Sequence, residues 1–348
     1  MNIPVISCFP GRPVIQAAIN LPLIPYLRNL ALIVALFVCV DGLQARSAAV
    51  MEIAPGIFMW PGHQEEFSSH NQGHIANIGF IVGSERVAVI DTGSSYQEGL
   101  ALRKAIRETT QLPIEFVIIT HMHPDHSLGA AAFKQDKPAY IGHAQLSDAL
   151  ARRQSVYLKR MQEILGAVAE GTEMVFPTQT VAVDRSLTLD LGARMLHLHA
   201  YPTAHTNNDL SVYDQKTGTL WLSDLLFIER TPVVDGSLLG WLKVMDEISL
   251  QPCIAMVSAE TGGSGQCGEV RRIVPGHGPV TTQWQKALAD QRRYLDFVAA
   301  GIRKVISKGG SISQAVENVG WEERENWLLF DEFHGRNVTA AFAELEWE

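Results

Sequence analysis

Residues 121–126 concentrate side chains that bind metal ions, in the order His-Met-His-Pro-Asp-His. Alternate side chains of an extended loop point the same way, so His121 and His123 can bind one ion. Asp125 and His126 follow a proline-set turn and face a neighbouring point, which suits a second ion. Imidazole nitrogens and carboxylate oxygens together favour zinc, with iron or manganese as alternatives. The segment therefore predicts a binuclear metal site.

Three single candidates lie further along the chain, each near the end of a predicted strand. His205 lies between two such strands, and Asp224 is predicted to close the strand before it. His277 follows another strand in a Pro-Gly-His-Gly-Pro turn. Because ligand sites on open sheets collect in loops at one edge, we expect these three side chains to join the residues at 121–126.

The elements that must position these residues alternate along the chain as strand-rich blocks and helices. Two such blocks, each followed by helices, favour two sheets packed face to face with helices outside. The predicted strands are 53–60, 77–82, 86–90, 114–120, 180–183, 186–191, 194–199, 209–213, 219–223 and 271–274. The predicted helices are 97–109, 146–170, 241–250 and 283–307, with shorter ones to residue 348.

The His-x-His-x-Asp-His loop, the three later ligands and Asp91 after an early strand together resemble the metallo-β-lactamase superfamily. The resemblance covers roughly residues 53–279. It implies an α/β fold, the four-layer αβ/βα sandwich, over residues 50–282, with a C-terminal helical extension over 283–348. It also implies that Asp91 orients a ligand histidine rather than binding metal.

The same resemblance implies a division of the ligands between two zinc ions. Asp224 would bridge them. The first ion would take His121, His123 and His205, and the second would take Asp125, His126 and His277.

A metal-bridged hydroxide in such a site would attack an ester, thioester, lactone or amide carbonyl, and Asp125 could accept a proton or orient the hydroxide. Two divalent ions outweigh the charges of Asp125, Asp224 and the hydroxide, so the predicted substrate is a small anionic molecule. Lactam-hydrolysing members generally have Cys or Ser where Asp224 stands. The sequence therefore leaves β-lactamase activity only as a minor or side reaction.

Two other functions stay open at this point. One is a persulfide dioxygenase-like oxidoreductase with a single iron, which would leave the second ligand set idle. The other is a metal-binding module that catalyses nothing. For substrate contacts the candidates are His74, in a Gly/Asn-containing loop, and His334, near the C-terminus.

Composition and the N-terminal segment bear on partners and location. A net charge of −9 excludes nucleic acid as the main partner. The apolar run Leu30–Val40 is shorter than the ~20 residues of a membrane span and fits a signal-peptide core, with a membrane anchor as the alternative. We therefore predict that residues 1–49 are a signal and flanking segment of a periplasmic or secreted protein. Cys253 and Cys267 would then form a disulfide or stay as two free thiols.

A narrower resemblance involves Asn71–Phe80, the His-Pro-Asp-His core and the segment from Asn337 to Glu344. These are similar to the quinoprotein relay system zinc metallohydrolases. That resemblance implies a functional association with a periplasmic dehydrogenase that uses a quinone cofactor.

Overall fold

The computed structural model describes residues 5–6, 15–16, 50–250 and 268–348. The predicted signal core Leu30–Val40 and the pair Cys253 and Cys267 lie outside these residues. The chain divides into two compact units, residues 1–47 and 48–348. In the first unit, a strand β1 (Val5–Ile6) pairs antiparallel with β2 (Ile15–Gln16).

The second unit contains two mixed sheets. The first sheet comprises β3 (Met51–Ala54), β4 (Ile57–Trp60), β5 (Ile78–Val82), β6 (Val87–Ile90), β7 (Ile114–Ile118), β8 (Ala139–His143) and β9 (Gln179–Val181). The second comprises β10 (Ser186–Asp190), β11 (Met195–Ala200), β12 (Leu210–Asp214), β13 (Thr219–Phe227) and β14 (Arg272–His277). In the first sheet, β3 to β6 are antiparallel neighbours and β6 to β9 are parallel, so that the carboxyl ends of β6 and β7 share one edge. In the second sheet, β10 to β13 are antiparallel and β14 lies parallel to β13.

The helices of the described residues lie in the second unit, and their ends follow from local sequence. The first begins at Tyr96 because the Ser95 side chain accepts a hydrogen bond from the backbone N–H of Glu98. Helix 146–165 ends at Gly166, which has a φ of 58°. The α-helices are α1 (Tyr96–Thr109), α2 (Pro124–Ser127), α3 (Leu146–Leu165), α4 (Leu238–Leu250), α5 (Trp284–Ile306), α6 (Ile312–Asn318) and α7 (Phe330–Leu345).

Three apolar clusters fill the spaces between the layers of this unit. One lies between the first sheet and α1 and α3, a second between the sheets, and a third between the second sheet and α4, α5 and α7. Strand β6 shows the arrangement, because Val87 and Val89 pack in the first cluster while Ala88 and Ile90 pack in the second. The predicted four-layer α/β sandwich with C-terminal helices is therefore confirmed.

A buried arginine connects the two sheets. Arg194 donates from Nε and Nη2 to the carboxylate of Asp214 on β12, over 2.8 and 3.0 Å. Its Nη1 donates to the carbonyl oxygens of Val82, on β5 of the first sheet, and of Pro55, in the turn that joins β3 to β4. This one side chain satisfies groups from both sheets at the end where β3 turns into β4.

Several predicted boundaries differ from the observed ones. The predicted strand 53–60 is divided into β3 and β4, β14 extends through His277 rather than ending at residue 274, and β8 is not among the predicted strands. Strand β13 continues past Ser223 to Phe227, and Ser223 has a left-handed φ of 50° within it. The predicted helix 146–170 ends as an α-helix at Leu165, and α4 begins at Leu238 rather than at residue 241. Within the described ranges, no helix has both the length and the apolar character that crossing a membrane requires.

Candidate metal centre

The loop that follows β7 presents four ligand-type side chains. His123 lies in extended conformation immediately before α2, and Pro124 occupies the first position of that helix. Asp125 and His126 therefore lie in the first turn of a helix. His121, Asp125 and His126 are buried, and His123 is partly exposed.

The first group of donor atoms gathers around His123. Its Nδ1 lies 3.1 Å from Nε2 of His121 and 3.0 Å from Nε2 of His205. Nε2 of His205 lies 3.3 Å from Oδ2 of Asp224. One donor atom from each of these four residues lies within 4.8 Å of the others.

The second group lies next to the first and contains Asp125, His126 and His277. Nε2 of His277 is 3.4 Å from Oδ2 of Asp125, and Nε2 of His126 is 3.7 Å from the same oxygen. These donor atoms also lie within 4.8 Å of one another. The other oxygen of Asp224, Oδ1, is 3.0 Å from Nε2 of His126. Oδ2 of Asp224 lies 3.5 Å from Nε2 of His277 as well, so the carboxylate of Asp224 faces both groups.

A bulge in β13 brings Asp224 to this position. The pairing of β13 with β14 shifts register on both sides of Ser223, so the strand does not stop at the site, as the sequence predicted, but passes through it. Gly276 makes the close approach possible, since a Cβ at residue 276 would lie 1.8 Å from Oδ1 of Asp224.

Each ligand histidine has a hydrogen-bond partner at its other ring nitrogen. Such partners fix the tautomer and the orientation of the ring. Nδ1 of His126 lies 2.8 Å from Oδ2 of Asp91, the interaction expected for that aspartate. The other partners are the carbonyl of Val233 for His205, the carbonyl of Ile75 for His277, Oγ1 of Thr120 for His121 and Oδ2 of Asp235 for His123.

Asn77 positions the loop that contains His277. Its Nδ2 donates to the carbonyl oxygens of Pro275 and Gly278, and its backbone N–H donates to that of Gly276. Its Oδ1 accepts from the backbone N–H of Gly62. One buried side chain thereby connects the end of β14 to the loop before β5.

The donor set fits divalent metal ions. Nε2 of His126 and Oδ1 of Asp224 lie 3.0 Å apart but do not form a hydrogen bond, and both atoms are buried without a hydrogen-bond partner, which is costly unless another group satisfies them. Imidazole and carboxylate ligands in two adjacent groups suit zinc and similar ions. The described residues therefore form two metal-binding groups, consistent with a binuclear site.

The electrostatic surroundings differ among these side chains. Burial opposes protonation of His126 and His205, but Asp224 and other nearby carboxylates outweigh it and raise the pKa of both imidazoles. Burial opposes ionisation of Asp224, but His126, His277 and His121 outweigh it and hold the pKa of this carboxyl well below its usual range. Burial, together with the charge of His126, lowers the pKa of His121 well below its usual value. An anionic carboxylate and a neutral imidazole are the forms that bind metal.

The model of the Metallo-beta-lactamase superfamily matches residues 72–292, more than half of the chain. The chain belongs to this superfamily. With both donor groups in place, it is a metallohydrolase of the metallo-β-lactamase fold.

Two relatives of this chain are named for different substrates, a thioester and an alkyl sulfate. The chain is 28% identical over 236 residues to the acyl-coenzyme A thioesterase MBLAC2 of Bos taurus, covering 62% of this chain and 76% of the bovine protein. A linear primary-alkylsulfatase of a Pseudomonas species is 29% identical over 66 residues, 19% of this chain and 12% of the sulfatase.

Solved structures share the metallo-β-lactamase fold. The sec-alkylsulfatase Pisa1 of Pseudomonas sp. matches with a TM-score of 0.63 and 16% identity, over 85% of this chain and 50% of that one. A metallo-beta-lactamase from Pontibacter korlensis matches with a TM-score of 0.54 and 16% identity, over 71% of this chain and 98% of that one.

A cavity beside the donor groups is the expected place for a substrate. His74 and His334, the two candidates for substrate contact, do not line it. His74 is buried, with Nδ1 2.6 Å from Oε1 of Glu98 and Nε2 2.9 Å from the carbonyl oxygen of Pro61. His334 is buried among the C-terminal helices, where its ring nitrogens pair with the hydroxyl of Tyr294 and the carbonyl of Val319. Both histidines use their two ring nitrogens in hydrogen bonds within the protein, and the structure does not bring either of these candidates to the cavity.

A cavity of about 350 Å³ opens beside the donor groups. Four arginines from separated parts of the chain line this cavity, and the sequence did not predict them. The sequence also did not predict the roles of Asp235 and Asn77. The only local signal was the placing of two arginines, 153 and 160, seven residues apart on one predicted helix. The cavity is lined by the ligands His123, Asp125, Asp224 and His277, by Phe67, Tyr157, Met161 and Phe333, and by Arg153, Arg160, Arg230 and Arg336.

Proposed function

We propose that the chain is a binuclear zinc hydrolase that cleaves a carbonyl ester bond, with a thioester as the favoured class. The observation that carries the proposal is the pair of donor groups that share the carboxylate of Asp224. The thioesterase name of the relative in Bos taurus favours thioesters over lactones and amides.

In this proposal the residues keep the roles expected from the superfamily. One ion would be held by His121, His123 and His205. The other ion would be held by Asp125, His126 and His277, and both ions would be bound by Asp224. The bound ions would supply a water of lowered pKa and an electrophile for the scissile carbonyl. Asp125, which lines the cavity, would be both a ligand and a proton acceptor.

The test combines metal content with a hydrolysis panel. Natively purified protein should contain two zinc ions per chain and should hydrolyse thioesters faster than matched lactones, lactams, and sulfate or phosphate esters. One iron per chain with oxygen consumption would instead favour the dioxygenase-like alternative. Faster cleavage of lactams than of thioesters would make β-lactamase activity the main reaction.

Replacing Asp125 separates catalysis from mere metal binding. Asp125→Ala should lower kcat/KM by at least about 100-fold, beyond the range typical for loss of an outer partner of a ligand. Asp148→Ala, at an exposed position on α3, is the matched control and should behave as wild type. If Asp125→Ala supports the cellular function at the wild-type level, the protein is a non-catalytic metal-binding module.

We also propose export and the dehydrogenase association. The support is the signal-like run Leu30–Val40 and the similarity to the quinoprotein relay metallohydrolases. N-terminal sequencing of the protein from a periplasmic fraction should find a mature chain that starts near residue 46–50. Detection of only the uncleaved chain, in the membrane fraction, would support the anchor instead.

A further inference from the structure

Arg230 is a buried cation with no carboxylate at ion-pair distance among the residues that the structure describes. Its residue is 3% exposed, although buried arginines are normally paired with carboxylates. Among the described residues its side chain makes one hydrogen bond, from Nη1 to the carbonyl oxygen of Glu65, and forms no ion pair with a carboxylate. Nε is buried and has no partner. The Nε–Nη2 edge of the guanidinium, the edge that binds oxyanions in a bidentate manner, therefore has no protein acceptor.

The position of Arg230 is fixed by the elements around it. Its backbone forms a parallel bridge with Leu328, and the next residue, Thr231, donates from its N–H and its Oγ1 to the carbonyl of Leu328. The guanidinium carbon lies 5.2 Å from the centre of the Phe333 ring. Such support holds the charge in one place, which is what a binding site needs and a surface arginine lacks.

Arg230 lines the same cavity as Asp125, Asp224 and His277. Asp125, Asp224 and Glu66, a third carboxylate that lines the cavity, attract Arg230, but none of the three lies at ion-pair distance from it. Bound metal ions would neutralise Asp125 and Asp224, the two carboxylates that act most strongly on Arg230, and would leave the weaker attraction of Glu66. The mouth of the cavity adds Arg160 and Arg336, which are exposed, and Arg153, which is partly paired with Asp235.

We propose that Arg230 is the oxyanion anchor of the substrate site. The inference rests on the proposed hydrolase function and specifies its substrate class. The substrate is a thioester or ester that also carries an anionic group, separate from the scissile bond. Nε and Nη2 would bind two oxygens of that anionic group in a bidentate manner. That oxyanion is either a carboxylate on the acyl part or a phosphate on the leaving group.

The test compares three thioesters in the zinc-loaded enzyme. The 3-carboxypropanoyl thioester of N-acetylcysteamine has a carboxylate on the acyl part, butanoyl-coenzyme A has phosphates on the leaving group, and butanoyl-N-acetylcysteamine has neither. Wild type should prefer one of the charged substrates by about 10- to 100-fold in kcat/KM, the range for a hydrogen bond to a charged group. Arg230→Met should remove that preference, and Arg230→Lys should keep part of it. Which charged substrate loses its advantage identifies the source of the oxyanion.

Binding provides a second readout. In calorimetric titrations with succinate and with inorganic phosphate, Arg230→Met should raise the Kd of one of the two ligands by about 10- to 100-fold. Zinc content equal to wild type shows that the variant is folded. Arg152→Met, the same change at an exposed arginine of α3 outside the cavity, should match wild type in every assay.

Two results overturn the anchor while leaving the hydrolase intact. One is an Arg230→Met variant that keeps the preference of wild type. The other is an equal loss on all three thioesters together with unchanged succinate and phosphate binding, which would show a structural role. If wild type hydrolyses none of the thioesters but binds succinate or phosphate through Arg230, the hydrolase proposal fails and the anchor stands.

Discussion

Gly276 occupies the point of closest approach between β14 and the carboxylate of Asp224. The space for a Cβ is taken by that carboxylate and by the backbone nitrogen of Asp224, so neither a rotamer change nor a small side-chain movement makes room. Gly276→Ala should therefore displace Asp224 from both donor groups. We expect zinc content below that of wild type and loss of hydrolysis, measured by elemental analysis and thioester turnover.

A second glycine provides the control for that substitution. At Gly335 on α7, a Cβ would have as its nearest neighbour a side-chain carbon 3.6 Å away, an ordinary contact. Gly335→Ala should leave zinc content and turnover unchanged and should stabilise α7 by up to about 1 kcal/mol. Full zinc occupancy in Gly276→Ala would contradict the importance of the close approach.

Asp91 can be tested without disturbing the backbone. Its φ of 58° is left-handed, a conformation that asparagine tolerates. Asp91→Asn keeps the size of the side chain but removes the negative charge beside Nδ1 of His126. Zinc affinity should fall by about 10- to 100-fold, measured by competition with a chelator, while the melting temperature of the zinc-loaded protein changes little. An unchanged affinity would show that the carboxylate does not orient His126.

At the scale of elements, Arg194 joins the two sheets. The buried ion pair with Asp214 is accompanied by two hydrogen bonds to backbone carbonyls, one on β5 of the first sheet and one in the turn that joins β3 to β4. Arg194→Met would leave the Asp214 carboxylate buried with its charge no longer balanced. We expect a loss of about 3–5 kcal/mol in the free energy of unfolding, measured by denaturant titration.

The double variant Arg194→Met with Asp214→Leu is the matched comparison. Removing both partners leaves no buried charge, so this variant should recover much of the lost stability. If the single and double variants are equally destabilised, the cost lies with the groups that lose a hydrogen-bond partner, the carbonyls of Pro55 and Val82 and the two donors of Thr217, rather than with the ion pair.

Elements also show how far the sequence predicts the site. The local loop at 121–126 was readable because its ligands are neighbours and the strand before it is continuous. The path of the chain around Asp224 could not be predicted from the sequence, because the bulge depends on the pairing of β13 with β14 rather than on local sequence. Asp235 was missed because it meets His123 across 112 residues. The burial of Arg230 likewise depends on contacts with residues 65, 328 and 333.

At the scale of the whole molecule, α7 supports the metal centre from outside. Asn337 accepts from the N–H of Val234 and donates to the carbonyl of Pro232. Seven residues on, the carboxylate of Glu344 accepts from the Ser237 hydroxyl and from the N–H of Leu238, at the start of α4. The segment between these contacts contains two partners of ligand histidines, the carbonyl of Val233 and the carboxylate of Asp235.

Asn337→Ala should therefore act on the metal as well as on the fold. We expect zinc affinity to fall by about 10-fold, in addition to a loss of about 1–3 kcal/mol in stability from the unsatisfied N–H of Val234. Thr339→Ala is the control, because Thr339 is exposed on the same helix and its hydroxyl donates to the carbonyl of Gly335 within that helix. A loss of stability with unchanged zinc affinity would limit α7 to a packing role.

The two oxygens of Asp224 have a thermodynamic consequence for metal loading. One carboxylate that faces both donor groups links their occupancies, because an ion in either group fixes the rotamer that the other group requires. Linkage of this kind is reciprocal, so each ion should raise the affinity for its partner by the same factor. Zinc titration should then show positive cooperativity, with little singly loaded protein at half saturation.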